Sequence, residues 1–244
     1  MKIAICISGI ARGNVKQHVG RLEKAFPGVD MFFSTWEEHK NKISENYNST
    51  YHPEPALHYN PWCECVIDPN SAKYRAYKKD FINKTGLGLQ KKLLNATKQL
   101  LAHAYQLDRD IPAEYDMIVR TRWDTVVSDK VDFTKYLEKS YNENIAIGFA
   151  IRGGRWIKLD EFRDVEHMYI TDDTDVSWSR DWHLWINDNM IFHPRGIYDT
   201  SLVYKLHEEK KLWPAEYGWY QILSKVDNHH CVYGGAALEK FVRA

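Results

Sequence analysis

The chain of 244 residues has no surplus of charge: 33 Lys and Arg stand against 33 Asp and Glu, with 11 His neutral at pH 7. A protein that tracks a nucleic-acid backbone carries a basic excess, so no nucleic-acid partner is expected. The same balance excludes an acidic tail. Four cysteines, Cys6, Cys63, Cys65 and Cys231, are too few and too scattered for a disulfide scaffold and suggest a reducing, cytoplasmic setting. No apolar run approaches the ~20 residues of a membrane span, so no transmembrane segment is expected. Met1 to Ile10 is too short for a signal peptide and reads as a buried strand with a loop. What is abundant is aromatic: nine Trp, fifteen Tyr and nine Phe. Such rings fill a large core, line a cleft, or both.

Hydrophobic patterning then sets the order of elements. Lys2 to Ile7 is an almost unbroken apolar run ended by Ser8-Gly9, as in a strand buried on both faces of a parallel sheet. From Asn14 to Phe26, Val15, Val19, Leu22, Ala25 and Phe26 keep helical spacing until Pro27-Gly28. A second strand runs from Val29 to Trp36, completing the β-α-β start of a doubly wound sheet. Glu37 to Asp80 is polar and broken by prolines, with at most a short strand near Cys65-Val66-Ile67. A long helical stripe follows from Leu89 to Leu107, and Pro112 separates it from a third core strand at Tyr115 to Arg120. Further strands are expected at Ile145 to Ile151 and toward Phe192, with helices near Tyr198 to Lys210 and Trp213 to Ser224. Repeats and Ser/Gly linkers are absent, so one α/β domain spans 1–244.

In an open α/β sheet, ligands bind beyond the carboxyl ends of the strands, which directs attention to four loops. Ser8-Gly9-Ile10-Ala11-Arg12 joins small residues, which let backbone amides approach a ligand, to an arginine suited to phosphate. A plain strand-to-helix turn with a surface arginine is the alternative. Thr35-Trp36 ends the second strand. After the third strand, Arg120, Arg122 and Asp124 alternate and project to one side if the extended backbone continues. They suit an anionic ligand, a cation held by Asp124, or a structural ion-pair network. Asn187-Asp188-Asn189 lies near Trp182 and Trp185, where carboxylate and indoles suit a sugar; turn formation is the bland alternative.

Three of these segments, Ile-Ser-Gly-x-x-Arg, Asp-Met-Phe-Phe-Ser-Thr-Trp and Tyr-Asp-Met-Ile-Val-Arg-Thr-Arg-Trp-Asp, resemble nucleotide-sugar-dependent glycosyltransferases of the GT-A fold. The likeness runs from Met1 to about Phe133 and resumes from Asn187 to Leu223. It implies a GT-A-like single domain with a Rossmann-like, mostly parallel central sheet flanked by helices. Residues 1–133 would form its nucleotide-binding half and 134–244 its acceptor-binding half. It further implies a nucleotide-sugar donor and a glycan or small hydroxyl acceptor. Ser8, Gly9, Arg12, Thr35, Trp36, Arg120 and Arg122 would meet the donor. Asp124, with His193, would hold a divalent cation, Mn²⁺ or Mg²⁺, although Arg122 stands where the metal-binding Asp-x-Asp motif has its first carboxylate. Asp188 would act as catalytic base, with Trp182, Trp185, Asn189 and Glu216 on the acceptor. Glu216 also begins a helix, where an acidic residue complements the dipole.

Overall fold

The computed structural model describes residues 1–43, 47–55, 89–128, 131–150, 156–158, 189–209, 212, 218–219, 222, 229–233 and 238–239. The expected strand at Cys65 to Ile67 lies outside them, as does most of the helix expected at Trp213 to Ser224.

Three apolar runs become the central parallel strands: β1 (Ile3–Ile7), β2 (Asp30–Trp36) and β4 (Met117–Thr121). β1 lies between the other two, with Ile5 opposite Met31 on one side and Val119 on the other. A parallel edge strand, β3 (Ser49–His52), adds to β2. This strand is a correction, because Glu37 to Asp80 promised at most a strand farther on. Its four residues alternate too briefly to register as a pattern; pairing with β2 stabilises them. On the other flank β8 (Met190–Pro194) runs antiparallel to β4 and to β6 (Ala146–Ala150). β9 (His229–Tyr233) is parallel to β6, and β7 (Trp156–Lys158) closes the row. The eight-stranded order is β3-β2-β1-β4-β8-β6-β9-β7. A two-stranded ribbon pairs β5 (Val126–Val127) with β10 (Leu238–Glu239).

Helices cover both faces. On one side α1 (Val15–Ala25) and α3 (Thr134–Glu143) pack Val19, Leu22 and Leu137 on Ile5, Ile7, Met117 and Val119. The Asn14 side chain caps α1 by accepting from the Gln17 amide at 3.1 Å. On the opposite side α2 (Leu89–Arg109) and α4 (Thr200–Glu208) pack Leu100, Leu101, Ala104 and Val203 on Ala4, Cys6 and Ile118. α3 went unread in the sequence because only Leu137 and Ser140 of it are buried, too few apolar positions to mark a stripe. The Arg195 guanidinium closes the end of α2, donating to the carbonyls of Leu107 at 2.6 Å, Ile111 at 3.0 Å and Pro112 at 2.9 Å. Among the described residues no helix is long and apolar enough to cross a membrane.

The two flanks position the site. The helix leading into β2 lies on one face and the helix leading into β4 on the other, so the chain reverses its winding between β1 and β4. The carboxyl ends of these two neighbours therefore open a crevice at a topological switch point.

Candidate functional site

Arg12 reaches this crevice from the loop after β1, and Arg122 and Asp124 reach it from the loop after β4. The backbone does not stay extended there. The Thr125 amide bonds to the Arg122 carbonyl at 3.4 Å, a tight turn that folds the Asp124 carboxylate back over the Arg122 side chain. Alternation along a strand, the reason for expecting these residues on one side, is thus replaced by a turn with the same outcome. Arg122 Nε donates to Asp124 Oδ1 at 2.9 Å and Nη2 to Oδ2 at 2.9 Å, a two-pronged pair. Arg12 Nε donates to Oδ2 as well, at 2.5 Å.

Exposure separates the three members. Asp124 is 3% exposed and Arg122 14%, whereas the Arg12 side chain is 48% exposed. Burial pushes the Asp124 carboxyl up, but the charges and hydrogen bonds of Arg122 and Arg12 together outweigh it and hold the group below its ordinary value. At neutral pH Asp124 is ionised and paired with both guanidinium groups.

Asn189, expected on an acceptor, is buried and holds the turn. Its carbonyl accepts from the Arg122 amide at 3.3 Å, Thr121 Oγ1 at 3.3 Å and Thr125 Oγ1 at 3.1 Å, and its Oδ1 accepts from Arg122 Nη1 at 3.3 Å. Ser8 is buried at the end of β1, its amide bonded to the Thr121 carbonyl at 3.3 Å and its hydroxyl without a hydrogen-bond partner among the described residues. Thr35 is also buried and spends its hydroxyl on the Gly9 carbonyl at 2.7 Å. Trp36 and Trp123 are fully enclosed, and Trp123 Nε1 donates to the Ser34 carbonyl at 2.9 Å. Trp36, expected on the donor, is thus enclosed in the core, as is Trp123. Asp188, Trp182, Trp185 and Glu216 lie outside the described residues.

Arg120, which alternation placed beside Arg122, is wholly buried against α2. Its Nη2 donates to Gln99 Oε1 at 3.1 Å, and its guanidinium lies 5.7 Å from the centre of the Trp219 ring. Gln99 also touches Gly9, whose φ of 101° is a conformation that side chains rarely adopt; a Cβ there would meet Gln99 Oε1 at 2.2 Å. Nothing in the sequence marked Gln99, since its partners are 90 residues upstream and 21 downstream. Gly9→Ala is expected to lower stability by about 2 kcal/mol in urea unfolding, from backbone strain and the clash together. Adding Gln99→Ala should return only the steric part; an unchanged midpoint for the single variant would contradict this geometry.

The two residues expected to share a cation are not together. His193 sits in mid-strand opposite Ile118, its Nε2 3.0 Å from His103 Nε2 and its Nδ1 2.9 Å from the Pro194 carbonyl. The carbonyl can only accept, so Nδ1 is protonated and the Nε2 proton between the rings belongs to His103. Burial lowers His193 to about 4, with Arg120 and Arg195 adding and the Pro194 contact opposing. His103 falls well below its ordinary value through burial and then His193, Arg120 and Arg195. Both rings are neutral structural groups beneath the crevice. Among the described residues no group of three or more His, Cys, Asp or Glu could hold a metal ion. With both Asp124 oxygens on guanidinium groups and His193 turned to His103, these two residues, as placed, do not form a divalent-cation site together.

No family model matches the chain, and no curated protein matches it in sequence. Solved structures do match. A 4-diphosphocytidyl-2C-methyl-D-erythritol synthase from Anaerococcus prevotii superposes with a TM-score of 0.52 at 8% identity, covering 100% of this chain and 90% of that one. The galactosyltransferase LgtC, solved with donor and acceptor sugar analogs, gives a TM-score of 0.39 at 12% identity, over 96% and 73%. The chain has a GT-A-like fold. A GT-A-like sheet places its crevice where Arg12, Arg122 and Asp124 converge.

Proposed function

We propose that the chain is a glycosyltransferase that moves a sugar from a nucleoside-diphosphate sugar to a hydroxyl of a glycan or small acceptor. The observation that carries this reading is the convergence of Arg12 and Arg122 on Asp124 at the switch point, a pair of guanidinium groups with one half-exposed arm. Guanidinium forks suit phosphate oxygens, and the half-exposed arm is within reach of solvent. The Ser8 to Arg12 loop and Arg122 would hold the donor, while the buried Arg120 and Thr35 act from behind, through Gln99 and Gly9.

In the reaction, the bond from the sugar anomeric carbon to the diphosphate oxygen breaks and its electron pair stays on the diphosphate. A bond from the acceptor oxygen to that carbon forms, and the hydroxyl proton passes to a base, the role proposed for Asp188. Arg12 and Arg122 oppose the charge that grows on the leaving diphosphate, which is where an enzyme gains rate from fixed cations. Trp182, Trp185 and Glu216 are the proposed acceptor contacts.

The test is incubation with a panel of nucleoside-diphosphate sugars and mixed acceptors, with chromatography of the released nucleotide. Release of a nucleoside diphosphate with sugar on the acceptor is the expected result. Binding without release would instead make the chain a carbohydrate- or nucleotide-binding module. A second reading, nucleotidyl transfer, draws on the same cluster, which suits a triphosphate as well; it predicts pyrophosphate as product and no nucleoside diphosphate.

A further inference from the structure

We propose that this site binds a nucleoside diphosphate without a divalent cation, Arg12 and Arg122 neutralising the phosphates and Asp124 acting as a positioning residue for both guanidinium groups. The inference rests on the donor reading above and goes beyond it by naming what balances the ligand's charge.

Three observations lead there. Asp124 already accepts three hydrogen bonds, from Arg122 Nε, Arg122 Nη2 and Arg12 Nε, so a cation would have to displace a two-pronged arginine from a buried carboxylate. The side-chain oxygen of Asn189, packed against the turn, is bonded to Arg122 as well. Second, the two guanidinium groups occupy the face of the carboxylate that a divalent cation would need, and their planar forks match the oxygens of a diphosphate. Third, the cluster is graded from inside to outside. Asp124 and Arg122 are fixed on the turn by Asn189, and Arg12 extends from the facing loop with half its side chain in solvent. A diphosphate can take Arg12 from solvent while Arg122 stays anchored, with Asp124 setting the plane of the Arg122 fork.

The experiment is calorimetric titration of the full chain with uridine, cytidine, guanosine, adenosine and thymidine diphosphates, each in EDTA and in Mn²⁺. For the nucleotide that binds best, affinity in the two media should agree within about twofold, and Arg122→Lys should weaken it about tenfold by removing the planar fork. Asp124→Asn removes the negative charge yet keeps an oxygen for Arg122. Its affinity should show the same indifference to Mn²⁺, and circular dichroism confirms that both variants fold. A gain of about tenfold or more on adding Mn²⁺ to the unaltered chain overturns the inference while leaving the donor reading intact, most directly if Asp124→Asn abolishes that gain. Failure of every nucleotide to bind in either medium overturns the donor reading and this inference with it.

Discussion

Arg122→Ala is expected to lower kcat/KM for the donor sugar by about 100- to 1,000-fold, the loss seen when one fixed group that stabilises developing charge is removed. Arg122 is the better anchored of the two arginines, tied to Asp124 by two bonds and to Asn189 by side chain and backbone. The same variant should lose about 3 kcal/mol of stability, because among the described residues a buried carboxylate keeps only the half-exposed Arg12 as ion-pair partner. These two effects have different causes, so they can be separated. Arg122→Ala/Asp124→Ala removes the stranded carboxylate and should recover most of the stability in urea unfolding, while donor turnover stays low. Recovery of turnover in the double variant would show that Arg122 serves the fold and not the ligand.

Acid should destabilise the protein well before its carboxylates titrate. His18 on α1 is buried with neither ring nitrogen hydrogen-bonded among the described residues, and burial lowers it to about 3 against the attraction of Asp124. His193 on β8 is lowered to about 4. In the unfolded chain both return to an ordinary value near 6.5. Between the two states' values the unfolded chain binds more protons, so the stability these groups contribute is complete above about pH 6.5 and is lost as pH falls toward 4. At pH 5 each gives up about 2 kcal/mol, together about 4 kcal/mol, against total stabilities of about 5–15 kcal/mol. Tm should therefore fall by about 10 °C between pH 7 and pH 5. His18→Leu should shrink that drop without removing it, because His193 and His103, both lowered by burial, remain. A Tm that stays level over this range, or a His18→Leu variant with the full drop, would count against the buried neutral histidines.

Much of the scaffold was legible because its signals are local. β1 and β4 are buried on both faces and β2 at its carboxyl end, so each is a short apolar run that needs no partner to be recognised. α1 and α2 declare themselves by a stripe and by Asn14, Pro27 and Pro112 at their borders. The loop residues Arg12, Arg122 and Asp124 stood out for the same reason, as polar side chains directly after apolar strands. β3 and α3 were missed because four residues and two buried positions are below what periodicity can register.

The sequence by itself determined a mixed α/β sheet, a charge total of zero and the chemical inventory of the strand-end loops. Tertiary structure decided which members of that inventory face the crevice. Arg120 and Arg122 are two residues apart, yet α2 covers the first, which meets Gln99, while the second turns back to Asp124. Trp36 and Trp123 follow strands that open into polar loops, yet packing encloses both. Asp124 meets Arg122 through a turn stapled by Asn189, 65 residues farther on. Spacing along the chain fixes only the direction in which a side chain leaves its strand. What it then meets depends on which helix lies over it and where that helix ends, and this is settled by contacts between segments far apart in sequence.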